Sequence, residues 1–181
     1  MRTESEIPTS LEDCFHHFSK TEILDESNSW YCNVCKEHRQ AQKTVTLWRL
    51  PEVLILGLKR YKQQSTDSWM GSINGRKKIE NFIDFPLEGL NVKSYLSQNS
   101  PLLGLDKENT SYDLFAVCNH YGRMGFGHYT AAARNWEPEG MSPLWYSFDD
   151  DVVTRCTSLS EVKSNAAYVL FYRKQKSPIS I

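Results

Sequence analysis

At 181 residues the chain is long enough for one domain with its own core and too short for two comfortable ones. Lys and Arg number 21 against 22 Asp and Glu, a net charge of -1, so no basic excess points to nucleic acid and no acidic block to a solvating tail. Protein partners are therefore favoured over polyanions.

The N-terminal stretch Met1 to Pro8 has no apolar run, and the longest aliphatic stretch, Val53 to Leu58, is far too short to span a bilayer. The expectation is a chain free of membrane, in the cytoplasm, the nucleus or both. Five cysteines, two of them in a Cys-x-x-Cys, fit reduced thiols and a metal site better than a disulfide framework.

From Thr9 to Ser19 the apolar residues Leu11, Cys14, Phe15 and Phe18 recur at i, i+3, i+4 and i+7, which predicts a short helix. Ser10 and Asp13 have the spacing of a capping box with Asp in place of Glu. Next comes Trp30-Tyr-Cys32-Asn-Val-Cys35-Lys-Glu-His38 among polar and turn residues. Two thiolates at this spacing can bind one zinc ion from a single turn and supply one edge of its tetrahedron. One edge is half a site, no second Cys-x-x-Cys is present, and two free thiols on a turn is an equal reading.

Lys43 to Tyr61 reads as two strands joined at Pro51. Thr44, Thr46 and Trp48 alternate with Val45, Leu47 and Arg49, and Val53 to Leu58 is a continuous aliphatic run that predicts a central, buried strand. Gln63 to Gly75 reads as a polar loop bearing an exposed Trp69. Lys78 to Pro86 reads as a further strand, Val92 to Leu96 as a helical turn, and Ser97 to Thr110 as a polar connection. Tyr112 to Cys118 alternates as a strand and leads into a Gly-rich loop, Tyr121 to Gly127. Tyr129 to Trp136 and Leu144 to Asp149 read as strands around a turn at Glu137 to Pro143. Leu159 to Asn165 is short and irregular, and Ala167 to Tyr172 reads as a last buried strand before a basic tail from Lys174.

If the two strands around the 137–143 turn form an antiparallel hairpin, residues whose numbers sum to about 280 face each other. His128 then lies within a few residues of Asp149 to Asp151. A carboxylate holding one ring N–H fixes the tautomer and stabilises the imidazolium formed when the other nitrogen takes a proton. A general base also needs a nucleophile within reach, and none is evident beside it.

The run Asn119-His-Tyr-Gly-x-Met-Gly-x-Gly-His128-Tyr129-Thr, followed by Trp145-Tyr-Ser-Phe-Asp149-Asp150 and Ala166-Ala-Tyr-Val-Leu-Phe-Tyr172, closely resembles the histidine box of the ubiquitin-specific protease family of deubiquitinases. Ser10-Leu-Glu-Asp-Cys-Phe, Tyr31-Cys-x-x-Cys35, Leu50-Pro-x-Val-Leu-Ile-Leu-Gly-Leu-Lys-Arg60-Tyr61 and Phe85-Pro86 look like that family's fingers and palm segments in their usual order. The resemblance covers nearly the whole chain. It implies an α+β, papain-like fold, mainly antiparallel sheet with few short helices. One incomplete catalytic domain over 1–181 would comprise fingers at 20–50, a palm at 51–173 and a tail at 174–181.

By the same resemblance the chain is the C-terminal half of a thiol protease that cleaves after ubiquitin's C-terminal glycine. His128 would be the general base, Asp149 its orienter, and Asp150 a polar helper near the developing oxyanion. Tyr129, His120, Tyr121 and Gly127 would line the channel for ubiquitin's Gly-Gly tail, along with the loop 62–76. Cys32 and Cys35 would hold structural zinc. The implied partners are ubiquitin, ubiquitinated proteins and a missing N-terminal half, with neither nucleic acid nor membrane.

The sequence departs from the family pattern in three places. The family's nucleophile box, Gly-x-x-Asn-x-Gly-Asn-Thr-Cys, has no match here, which predicts that the isolated chain is inactive and leaves open a non-catalytic ubiquitin-binding or scaffold module. The first Cys-x-x-Cys of the zinc site is also absent. Gly57 stands where many members carry a bulkier or polar residue, with looser packing beneath the site as the expectation.

Overall fold

The computed structural model describes residues 8–63, 76–102, 109–123, 126–135 and 144–176. The polar loop with Trp69, Gly125, the turn at 137–143 and the end of the tail lie outside these residues.

Helix α1 (Leu11–Ser19) begins where the capping box sets it: Asp13 N donates to Ser10 Oγ at 3.1 Å, and the Asp13 carboxylate accepts from Ser10 N at 2.9 Å and Thr9 N at 3.0 Å. Leu11 and Phe15 are buried and Cys14 is half-buried. Phe18, expected on the same face, is exposed with His16 and His17, because the last turn stands clear of the core.

Four short strands follow. β1 (Glu22–Ile23) pairs with β4 (Gln42–Lys43), and inside that pair β2 (Trp30–Cys32) and β3 (Glu37–Arg39) form a hairpin with Cys32 and Cys35 at its tip. The strand expected over Thr44 to Arg49 does not form among these residues. β1 offers only two residues to pair with, and the chain turns away so that Leu47 N and O bond to Tyr95 O and Ser97 N, both at 2.8 Å.

The main sheet has seven strands: β5 (Val53–Gly57), β8 (Leu90–Asn91), β9 (Ser111–Arg123), β10 (Phe126–Arg134), β11 (Trp145–Asp149), β12 (Val152–Arg155) and β13 (Ala167–Lys174). Their order is β12-β11-β10-β9-β13-β5, with β8 beside β9, and every pairing is antiparallel. A separate ribbon joins β6 (Tyr61–Gln63) to β7 (Arg76–Lys78). The α+β class and its antiparallel sheet match the expectation.

Register shows which face is the core. Leu56, Leu170, Val117 and Ala132 form one row across four strands, and the last three are essentially inaccessible. Ile55, Phe171, Ala116, Ala133 and Tyr146 form the neighbouring row on the opposite face, where Ile55 is 58% exposed. Leu11 and Phe15 of α1, with Phe85, Val92 and Tyr95, join the covered face in one core.

Three further expectations change. β5 is an edge strand, not a central one: its aliphatic run covers the core on one side and leaves Val53 and Ile55 on the open side. Lys78 to Pro86 is not a strand beyond β7. Its backbone groups instead bond to Arg60, Thr9 and Leu11, with an isolated bridge between Ser10 and Asp84. Around Gly57 nothing lies within 4 Å of an added Cβ, so the missing side chain leaves an open surface rather than a gap under the site.

Candidate active site

The site is built at one end of the β9–β10 hairpin. Tyr121 to Arg123 and Phe126 to Gly127, expected in a loop, continue the two strands instead, with Gly127 opposite Gly122 and His128 opposite Tyr121. Gly122 has φ +100°, and a Cβ there would meet Phe126 O at 2.7 Å. The adjoining β10–β11 register pairs Ala131 with Phe148 and Arg134 with Trp145, within one residue of expectation. That register carries Asp149 to His128.

His128 Nε2 and Asp149 Oδ1 are hydrogen-bonded at 2.5 Å, with both side chains about half exposed. The hydrogen bond from Asp149, and then its charge, holds His128 above the ordinary imidazole range. Asp150 is in the turn to β12 with φ 50°, a conformation a non-glycine residue seldom takes, and its carboxylate lies within 4.8 Å of the donor atoms of the pair.

A second cluster adjoins this pair. Strand alternation puts Tyr121 on the face of His128, and Tyr129 with its partner His120 on the other. His120 is buried, with its ring 4.7 Å from Tyr129 and 5.8 Å from Tyr168 between centroids, and it shares a hydrogen bond of 3.1 Å with Tyr61 Oη through Nδ1. Lys78 Nζ donates to His120 O at 2.6 Å. Burial, then the Lys78 charge, lowers the His120 pKa. Gly127 is required beside this ring, since a Cβ there would fall 2.1 Å from His120 Nε2. A small cavity of about 120 Å³ between Lys78, Glu80, His120 and Asn165 opens alongside.

Tyr61 and Tyr168 were missed by sequence reasoning. Each sits beside a residue with a strong signal, Arg60 and the Ala166–Ala167 pair, but only the sheet brings them to His120. The cysteines provide no partner for His128. Burial pushes Cys14, Cys118 and Cys156 up, so they stay thiols. Cys118 shares a face with His120 without an Sγ contact to it, its thiol pointing to Asn119 O at 3.9 Å.

Cys32 and Cys35 form a different arrangement. Cys35 N donates to Cys32 Sγ at 3.5 Å, Lys36 follows at φ 61°, and backbone donation from Cys35 and Val34 lowers the Cys32 pKa. A turn that aims N–H groups at sulfur favours thiolate, so the pair fits two ligands of a zinc site. Among the described residues no third His, Cys, Asp or Glu converges on them.

A sequence profile of the family described as ubiquitin carboxyl-terminal hydrolase matches residues 6–172. The chain belongs to this family. Its members here are ubiquitin-specific proteases: ubiquitin carboxyl-terminal hydrolase 12 of Saccharomyces cerevisiae is 40% identical over 163 residues, covering 90% of this chain and 12% of the yeast protein. Ubiquitin carboxyl-terminal hydrolase 19 of Homo sapiens is 41% identical over 174 residues, 94% of this chain and 12% of the human protein. The chain thus spans about an eighth of these relatives' length. Among solved structures, the SAGA Ubp8/Sgf11/Sus1/Sgf73 DUB module bound to ubiquitin aldehyde is similar with TM-score 0.70 at 28% identity, over 96% of this chain and 35% of that one. A SAGA module bound to monoubiquitin gives TM-score 0.71 at the same identity, over 96% of this chain and 34% of that one. Among the described residues no helix is long and apolar enough to cross a membrane.

Proposed function

We propose that this chain carries the general-base half of a ubiquitin-specific protease, with His128 as base and Asp149 as its orienter. The 2.5 Å bond that Nε2–H donates to Asp149 Oδ1 supports this reading above all, because it fixes the ring and leaves Nδ1 for a thiol. The nucleophile belongs to a cysteine box that this sequence does not contain.

The steps then follow. Nδ1 accepts the thiol proton, and the thiolate attacks the carbonyl carbon of ubiquitin's last glycine. The tetrahedral oxyanion forms near Asp150, which serves as a polar helper of the site. The imidazolium returns its proton to the departing lysine amine, leaving a thioester. Water, deprotonated by His128, releases ubiquitin as a carboxylate and restores the thiol.

Tyr129, His120 and Gly127, with Tyr61 and Tyr168 added, line one wall of the channel for the Gly-Gly tail, and Tyr121 lines it from the face of His128. A wall of packed rings leaves room for a backbone without side chains and rejects bulkier residues by sterics. Residues 20–50 are the fingers and 51–173 the palm. Cys32 and Cys35, in the fingers, would hold half of a zinc site, and the metal would supply a structural cross-link. Ubiquitin binding is supported by the solved relatives in complex with ubiquitin aldehyde and monoubiquitin.

The purified chain is expected to show no hydrolysis of a fluorogenic ubiquitin substrate and to shift resonances at the tail of labelled ubiquitin. Turnover by the chain alone overturns the split site. A ubiquitin spectrum unmoved at high concentration overturns the channel.

A further inference from the structure

Arg60 is buried, at 3% exposure, and no carboxylate bonds to it among the described residues. Its Nε donates to Ala167 O at 2.6 Å, and Nη1 donates to Ile79 O at 3.0 Å and Asn81 O at 2.9 Å. Its own carbonyl accepts from Ile79 N at 2.6 Å. Among the described residues Nη2 is buried without a partner. A buried cation that no carboxylate bonds, with the charge of Glu80 acting on it only at longer range, is a poor device for stability alone, because desolvation of the charge opposes folding and a well-packed apolar side chain avoids that cost.

What Arg60 joins is informative. Its bonds tie together the β5–β6 junction, the exit of β7 and the start of β13. Each of these places is one residue from a side chain that meets His120. Tyr61 follows Arg60 and bonds to His120 Nδ1, Lys78 precedes Ile79 and bonds to His120 O, and Tyr168 follows Ala167 and packs on the His120 ring. Tyr61 and Tyr168 also meet edge to face at 6.2 Å. The planar guanidinium fork can hold several carbonyls at fixed angles, which one ammonium cannot.

We propose that Arg60 is a positioning residue: its bonds to the carbonyls of Ala167, Ile79 and Asn81 set the spacing of Tyr61, Lys78 and Tyr168 around His120, and so the shape of the aromatic wall. The role of that wall as the ubiquitin channel rests on the function proposed above, whereas the positioning itself rests on the geometry. Removing the fork lets the three segments move apart, and His120 loses its Nδ1 partner and its ring contacts together.

The test reads the His120 ring by NMR in the full chain. In the wild type, Tyr61→Phe shifts the His120 signals. In Arg60→Gln those signals are already displaced and Tyr61→Phe adds no further shift, while Leu170→Val, a change in the buried core, leaves them in place. Wild-type His120 signals and an intact response to Tyr61→Phe in Arg60→Gln overturn the proposal. If Arg60→Gln does not fold, Arg60→Lys is read instead: displaced signals support the fork, and unchanged ones overturn it. Labelled ubiquitin is titrated in parallel. The expected loss in Arg60→Gln is at least about tenfold, a difference of roughly 1.4 kcal/mol. A wild type that ignores ubiquitin removes the channel reading, and the His120 comparison still settles whether Arg60 positions the wall.

Discussion

Asp149 strengthens the hold of His128 on a proton, first through the bond to Nε2 and then through its charge, whereas burial and then Lys78 weaken that of His120. The consequences for stability have opposite signs. A raised folded-state pKa gives stability that is fully present below the unfolded value of about 6.5 and is lost as pH rises through the folded value of His128. A lowered one gives stability that is present above about 6.5 and is lost as pH falls toward the folded value of His120. In a proton-NMR titration His128 should therefore have its midpoint above the ordinary range and His120 below it. Asp149→Asn should bring His128 down and leave His120 in place. A wild-type His128 midpoint at or below the ordinary value contradicts the orienter role. Both histidines stand out in the sequence within the run Asn119 to Tyr129, but their separate environments do not, because His120 is buried by Tyr61 and Tyr168 from distant segments.

At the scale of elements, α1 was legible because everything that starts it is local. Ser10, Asp13 and Thr9 satisfy one another's backbone groups within a single turn, and Leu11 and Phe15 supply the apolar stripe. Ser10→Ala removes the acceptor for Asp13 N and should cost about 1 kcal/mol in urea denaturation. An unchanged midpoint would show that the isolated bridge to Asp84, rather than the cap, holds the helix start. The β10–β11 pairing was legible for a similar reason, since strands flanking one turn have few registers available. β5 was not. A run such as Val53-Leu-Ile-Leu-Gly57 packs a core equally well from the edge or the middle of a sheet, and alternation cannot say which. Leu47 was misplaced likewise, its partners Tyr95 and Ser97 being set by packing rather than by neighbours in sequence.

Among the described residues one seven-stranded sheet dominates the molecule, with one covered face and one bare face, beside three two-stranded pairs and the helix. Val53 and Ile55 on the β5 edge, and Phe148 and Val153 near the β12 edge, are more than a third exposed on that bare face. A long apolar edge strand is a template for association with another chain. Ile55→Lys should reduce self-association in light scattering at a given concentration. It should change the unfolding free energy by no more than about 0.5 kcal/mol, because the side chain leaves no buried contact behind. Self-association undiminished by the substitution would place the sticky surface elsewhere. The sequence by itself determined the local features: the capped helix, the strand alternation, the Cys-x-x-Cys turn, and the order of motifs that points to the protease family. Those rest on contacts between residues close in the chain or on residue types in a fixed order. Only the tertiary structure decided that β5 is an edge, that Arg60 joins three segments, and that Tyr61 and Tyr168 close around His120. Each of these depends on pairings between residues from about twenty to over a hundred positions apart, which no local periodicity encodes.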